Sequence, residues 1–259
     1  MLDTQSPFVD HDPSDGVDLT ESRLRWAIVS MAIAPGTRLS EIELCRSYRQ
    51  GRGIIRAALG RLGHGGFVVS QPRSGWKVAA ISAAGLREII LARGRLESLL
   101  ADVQLSAEDA VRLRTICDMQ AAIWAAPSTL SSEHASLQRR YDRQIRDLLS
   151  AGLRAPLIAG WLANLWDKSD RYINYFERSG AKPAPRFDWA PFVDAKMRRD
   201  DVEAARLLSE GAAAFARYAE ASLLASDLAA PDTANVTRTK HERLREPPHR
   251  GERPSKRTT

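Results

Sequence analysis

Arg52 and Arg56 stand one helical turn apart in the stretch Gly51-Arg52-Gly53-Ile54-Ile55-Arg56. A guanidinium is a planar fork of donors that bonds phosphate oxygens or a guanine edge two at a time, so a pair on one helix face can engage the same groove together. Arg73 has a different setting, the tip of Gln71-Pro72-Arg73-Ser74-Gly75, where one basic side chain can reach a neighbouring minor groove. The surrounding charge fits an anionic partner. Residues 20–78 hold ten Lys or Arg against three acids, a net charge of +7, while the whole 259-residue chain carries only +6. A patch this concentrated is the electrostatic footprint of phosphate binding and points to double-stranded DNA.

The local sequence supplies elements to carry these side chains. Thr20 can cap a first helix in which Leu24, Ala27, Ile28 and Met31 recur at helical spacing before the Pro35-Gly36 turn. Ser40 and Glu43 form a capping box opening a second helix that ends near Tyr48. After the Arg49-Gln50-Gly51 turn, a third helix is predicted from Arg52 to His64. Its wheel puts Ile54, Ile55, Ala58, Leu59 and Leu62 on a core face, and Arg52, Gly53, Arg56, Gly60 and Gly63 on the other. Each of these glycines costs the helix about 1 kcal/mol relative to Ala but leaves no side chain between backbone and a bound duplex. Phe67-Val68-Val69-Ser70 and Trp76-Lys77-Val78 bracket the Arg73 turn as a two-stranded wing.

Charge divides the rest of the chain. Residues 1–19 contain five Asp and no Lys or Arg, the opposite of a signal-peptide start, and no later apolar run approaches the roughly 18 residues of a membrane span. A cytoplasmic protein without membrane contact is expected. Cys45 and Cys117 are far apart, which excludes a disulfide framework or a Cys-based zinc site and predicts two small buried apolar residues. Residues 79–230 are neutral overall, and from Ser82 to Ser226 the apolar positions follow a helical period. Leu86, Ile89, Ile90, Leu96, Leu99 and Val103 line one expected segment, and Val111, Leu113, Ile116 and Met119 the next. Leu137, Tyr141, Ile145, Leu148 and Leu149 line a third, Ile158, Leu162, Leu165, Trp166 and Tyr172 a fourth. Val202, Ala205, Leu208, Phe215 and Ala219 line the last. The expected fold class is mainly α: an acidic disordered terminus (1–17), a winged helix-turn-helix with a small β wing (18–79), an all-α bundle (80–226) and a disordered basic tail (227–259). The tail has almost no large apolar residue to offset its ordering entropy.

Specific motifs carry a family resemblance. Pro35, Gly36, Leu39, Glu41 and Leu44 follow the pattern PG-x-x-L-x-E-x-x-L; Arg56, Ala58, Leu59, Arg61 and Leu62 follow R-x-A-L-x-R-L; Gly66, Val68 and the Pro72-Arg73-x-Gly75 turn complete it. This block resembles the winged helix of GntR-family bacterial transcription regulators. The family's usual Ser-Arg-Thr-Pro-Val-Arg-Glu stands here as Gly51-Arg52-Gly53-Ile54-Ile55-Arg56-Ala57, which keeps both arginines and lacks the phosphate-contacting hydroxyls. The resemblance implies Arg49, Arg52, Gly53, Arg56, Arg61, Arg73 and Gly75 as the DNA-binding set. The helical region, with Arg93-Gly94-Arg95-Leu96-Glu97 and Asp201-Val202-Glu203-Ala204-Ala205, resembles the FCD effector-binding and dimerisation domain of the FadR-like branch.

That second resemblance implies a homodimer on a short inverted-repeat operator and a pocket for a small effector. Many FCD domains hold a divalent metal with one Asp and three His, and the matching positions here are Asp142, Arg146, Ala190 and Ala212. One ligand of four survives, so neither a metal nor another cofactor is expected. Arg146 can act in two ways: it can pair with Asp142 one turn away, or it can bind an effector carboxylate directly. Arg93 and Asn164 are further effector-site candidates. The implied function is a dimeric repressor modulated by a small organic acid; the alternative is a DNA-binding protein whose helical domain is only a scaffold. No Gly-rich phosphate loop or nucleophile-base spacing supports an enzyme.

Overall fold

The computed structural model describes residues 13–72, 75–125, 132–226 and 228. Arg73, the acidic terminus up to residue 12 and the basic tail beyond 228 lie outside them.

The N-terminal unit is built from α1 (Pro13–Val29), β1 (Arg38–Leu39), α2 (Glu41–Tyr48), α3 (Arg52–His64), β2 (Val68–Gln71) and β3 (Gly75–Val78). The antiparallel sheet has the order β1-β3-β2, with Arg38 opposite Lys77 and Ser70 opposite Trp76. Leu24 and Ile28 of α1 pack with Ile55, Leu59 and Leu62 of α3 and with Phe67 and Val78 around the sheet, all buried. The helix-turn-helix and the wing fall where the patterning puts them; three details differ. Helix α1 begins at Pro13, across the expected boundary at 17, and Thr20 does not cap it. Thr20 is buried in the helix interior and donates its hydroxyl to the Gly16 carbonyl at 2.7 Å, which satisfies it within the turn. Strand β1 was not foreseen, because two residues leave no period. Gly63 is not on an open face: a Cβ there would lie 3.2 Å from the Trp76 ring, so this glycine lets the wing close onto α3.

The C-terminal unit consists of α4 (Ala83–Leu96), a 3-10 turn (Glu97–Asp102), α5 (Ala107–Ala125), α6 (Ser132–Gly152), α7 (Pro156–Arg178), α8 (Ala190–Met197) and α9 (Asp201–Leu224). Leu99 and Val103 therefore do not extend the first helix. On α5 the buried stripe is Ala110, Leu113, Cys117 and Gln120, while Val111 and Met119 are exposed; apolar type alone set the wrong phase. Val202 is likewise exposed at the start of α9. Cys117 is buried as expected, but Cys45 is only half-buried.

Helix α7 joins the two units. Its Leu162 and Trp166 enter the bundle core, and its Tyr172 and Phe176 pack with Met31 and Ile81 from the end of the winged helix. Polar contacts fix the junction: Asn174 donates to the Val29 carbonyl at 2.8 Å, Arg178 to that of Met31 at 2.9 Å, and Arg171 to that of Ala79. Capture of three backbone carbonyls by side chains satisfies groups that would otherwise be buried unpaired.

Candidate nucleic-acid interface and effector cavity

Ser40 caps α2 by accepting the Glu43 N–H at 3.4 Å, and Arg49 ends the helix in the left-handed conformation at φ 53°. Gly51 then starts α3 in extended backbone, so the first turn of α3 is presented to solvent. Arg52 projects from that turn and Arg56 from the next, with side chains 64% and 57% exposed. Both reach back to one carboxylate: Arg52 Nε donates to Glu41 Oε2 at 2.9 Å, and Arg56 Nε donates to the same oxygen at 2.8 Å. The Arg52 hydrogen bond is the main reason that the Glu41 carboxyl is held below its usual range. Glu41 thus keeps the two guanidiniums side by side, while their outer donors remain open.

The other members of the expected DNA-binding set divide. Arg49 and Gly53 are exposed at the helix-turn-helix surface, and a Cβ on Gly53 would meet nothing within 4 Å. Gly75 opens β3 at φ 81°, the backbone a wing turn needs. Arg61 goes elsewhere: it pairs with Asp18 and lies 3.7 Å from Glu21, both on α1. About two and a half turns along α3 from Arg52, it faces the α1 side, a rotation that a motif match cannot register.

Arg61 borders a groove between the units that also includes Arg25, Arg143 and Asn164. Asn164 donates to the Gly65 carbonyl at 3.3 Å, so it ties the bundle to the winged helix, and it is not among the described residues that line the cavity of Arg93, Asp142 and Arg146. Beside it, buried Asp167 accepts Arg25 of α1 at 3.2 Å and also Arg143 of α6. Burial depresses the Arg143 pKa, but Asp167 and Asp147 more than offset this and leave it raised.

One turn further along α6 and α7 lies a cavity of about 680 Å³ inside the helical unit, a size that takes a drug-sized ligand. Arg93, Asp142 and Arg146 all line it, and the segment between α7 and α8 covers it with Pro183, Pro185 and Phe187. Arg146 is buried and bound to Asp142, NH2 to Oδ2, at 2.7 Å; it also stacks over Trp166 with its guanidinium 5.6 Å from the ring centroid. Burial lowers its pKa, yet the Asp142 and Asp170 carboxylates keep it raised. Of the two roles open to Arg146 from sequence, the structure contains the ion pair. Arg93 is similarly engaged, 2.9 Å from Glu97 and 4.0 Å over the Phe215 ring.

These residues do not fit a divalent metal. The guanidinium of Arg146 occupies the Asp142 carboxylate where a second ligand would have to stand, and Ala212 offers no donor. Among the described residues no group of three or more His, Cys, Asp or Glu is placed to hold one. Asp167 and Asp170 are the site residues that sequence reading missed. Their i, i+3 spacing on α7 matches that of Arg143 and Arg146 on α6, but the match is between two helices and carries no motif.

Residues 19–78 match the sequence family described as bacterial regulatory proteins, gntR family. Among solved structures, E. coli McbR/YncC is similar with a TM-score of 0.64 at 17% identity, covering 81% of this chain and 97% of that one. A protein of Rhodococcus sp. RHA1 described as a GntR transcriptional regulator has a TM-score of 0.51 at 18% identity, covering 81% and 95%. No curated protein matches the chain. The N-terminal unit has the winged-helix fold over the residues that this family model matches, and the mainly α architecture continues across both units. No helix among the described residues is long and apolar enough to cross a membrane.

Proposed function

We propose that the chain is a dimeric, FCD-type repressor whose hold on a short inverted-repeat operator is set by a small molecule in the helical cavity. The observation that carries this reading is the pairing of an exposed Arg52–Arg56 face with a cavity in the helical unit, the two joined through α7. Phosphate and base contacts come from the first two turns of α3, from Arg49 and from the wing at Gly75. A neutral second unit supplies the two-fold symmetry that an inverted repeat requires. Arg93, Asp142 and Arg146 form the floor of the effector site.

The test begins with light scattering of the purified full chain, for which a mass of two copies is expected. Genomic fragments it retains are then footprinted. Protection of an inverted repeat, lost in Arg52→Ala/Arg56→Ala, supports the reading; a monomer that protects one half-site refutes the dimer.

A further inference from the structure

Among the described residues six carboxylates and four arginines line the cavity, and three of the arginines are ion-paired. Arg93 is bound to Glu97, Arg146 to Asp142 at 2.7 Å, and Arg139 to Glu177 at 3.2 Å. Arg186 is exposed at the rim, 5.8 Å over the Trp124 ring. The remaining acids differ in position. Glu210 pairs with Arg206 on the outer surface of α9, and Asp188 accepts the Ala190 N–H at 3.1 Å. Asp170 alone among the described cavity carboxylates has no hydrogen bond; its nearest cation is Arg146 NH1 at 3.7 Å.

We infer that the cavity takes an organic cation, an ammonium group on a flat apolar body, with Asp170 as its counter-ion and the rings of Trp124, Phe187 and Trp189 around the body. This rests on the reading of the cavity as the effector site. Among the described lining residues an incoming carboxylate would find every guanidinium except rim-exposed Arg186 ion-paired, with the buried Arg146 Nε the one donor lacking a partner, and it would meet a surplus of negative charge, so burying it there is costly. An ammonium meets the opposite situation: a carboxylate without a donor, and aromatic faces whose quadrupoles attract cations. The Asp170 side chain is 25% exposed, in a residue that lines the cavity. Burial pushes its carboxyl above the usual range in spite of Arg146, a penalty that a bound cation relieves. The organic acid expected from sequence is thus replaced by a ligand of opposite charge.

Three probes of one shape separate these cases: 2-phenylethylamine, 2-phenylethanol and 3-phenylpropionate, each titrated calorimetrically into the full-length protein without DNA. The amine is expected to bind at least about tenfold more tightly than the alcohol, about 1.4 kcal/mol, and the acid least of all. Asp170→Asn should remove that advantage while alcohol binding persists. Acid binding equal to or tighter than amine binding overturns the inference, as does an amine advantage intact in Asp170→Asn or no amine binding at millimolar concentration. If Asp170→Asn does not fold, the charge series on the unaltered chain decides alone. The same samples are then run in a gel shift. An amine that binds yet leaves DNA affinity unchanged refutes control of DNA binding and leaves the cation site standing; DNA binding without amine binding refutes only the site.

Discussion

Replacing Arg52 and Arg56 together by Ala removes two exposed cations that touch only Glu41. In the free protein the loss is small, because exposed ion pairs contribute about 0–1 kcal/mol, so the melting temperature should hardly move. On DNA each guanidinium is expected to contribute about 1–3 kcal/mol. Part of that is spent in releasing Glu41, so the lower half of the range applies, about 1–2 kcal/mol per arginine after discounting for the exposed pair. For one winged helix the sum is about 2–4 kcal/mol, a loss of roughly 30-fold to 1,000-fold, and a dimer compounds it. The salt dependence gives a second, independent readout: each lost phosphate contact lowers the slope of log K against log salt by about 0.9, so four arginines in a dimer lower it by about 3 to 4. Gel-shift titrations at several salt concentrations measure both. Affinity within threefold of the parent with an unchanged slope would refute the assignment of this α3 face to the groove.

Elemental analysis of protein purified without chelator should find no stoichiometric Zn, Ni or Mn, and Arg146→His should not create a site because Ala190 and Ala212 still lack donors; about one metal per chain would overturn the ligand alignment. Asp167→Asn should destabilise the fold by about 1–3 kcal/mol, less than a fully buried pair would since Arg25 and Arg143 are partly exposed; denaturant midpoints equal to the parent's contradict it. Burial pushes the Cys117 thiol up to about 12, so the folded state resists its ionisation and stability should fall as pH rises from the ordinary thiol range toward that value. In a thiol assay on the native protein near neutral pH, Cys117 should be silent and react only after denaturation; rapid labelling of Cys117 in the native chain would show the burial to be wrong.

The DNA-reading half was legible because its signals are local. A capping box needs only Ser40 and Glu43, the third helix only its own apolar period, and the wing only β-favouring residues around a Pro and a Gly. The glycine at 63 was misread because its neighbour, Trp76, arrives through strand pairing. In the helical half, element type was legible and phase was not: Val111 and Met119 satisfy a period on α5, yet the bundle buries Cys117 and Gln120. Helix α8 was missed since eight residues with Pro191 near the start give little periodicity. The cavity suffered most. Arg146 was chosen for the residue type at one aligned position, whereas its chemistry is decided by Asp170 and Trp166 on another helix. Asn164 was chosen as a polar residue on a facing helix, and a one-residue difference in azimuth turns it from the cavity to Gly65.

A cavity ligand changes DNA affinity only if both sites bias the same element. The α6–α7 interface supplies a candidate with defined parts. Arg146 and Asp170 form the rung at the cavity; Arg143 and Asp167, three residues back on the same two helices, form the next. Asp167 also holds Arg25, which stacks 4.7 Å over the Phe67 ring in the winged-helix core. A cation on Asp170 competes with Arg146 for that carboxylate, and any shift of α7 that accommodates it moves Asp167 and the Asn164 anchor on Gly65 as well. Since α1 packs on α3, the displacement reaches the helix carrying Arg52 and Arg56 without a hinge. Coupling of about 1–3 kcal/mol is typical of such systems, within what one charged rung can contribute. The coupling should therefore vanish in Asp167→Asn even if ligand and DNA each still bind: the amine would be taken up in calorimetry while the gel-shift midpoint stays fixed. A midpoint that still moves as in the parent would show that the signal bypasses this rung.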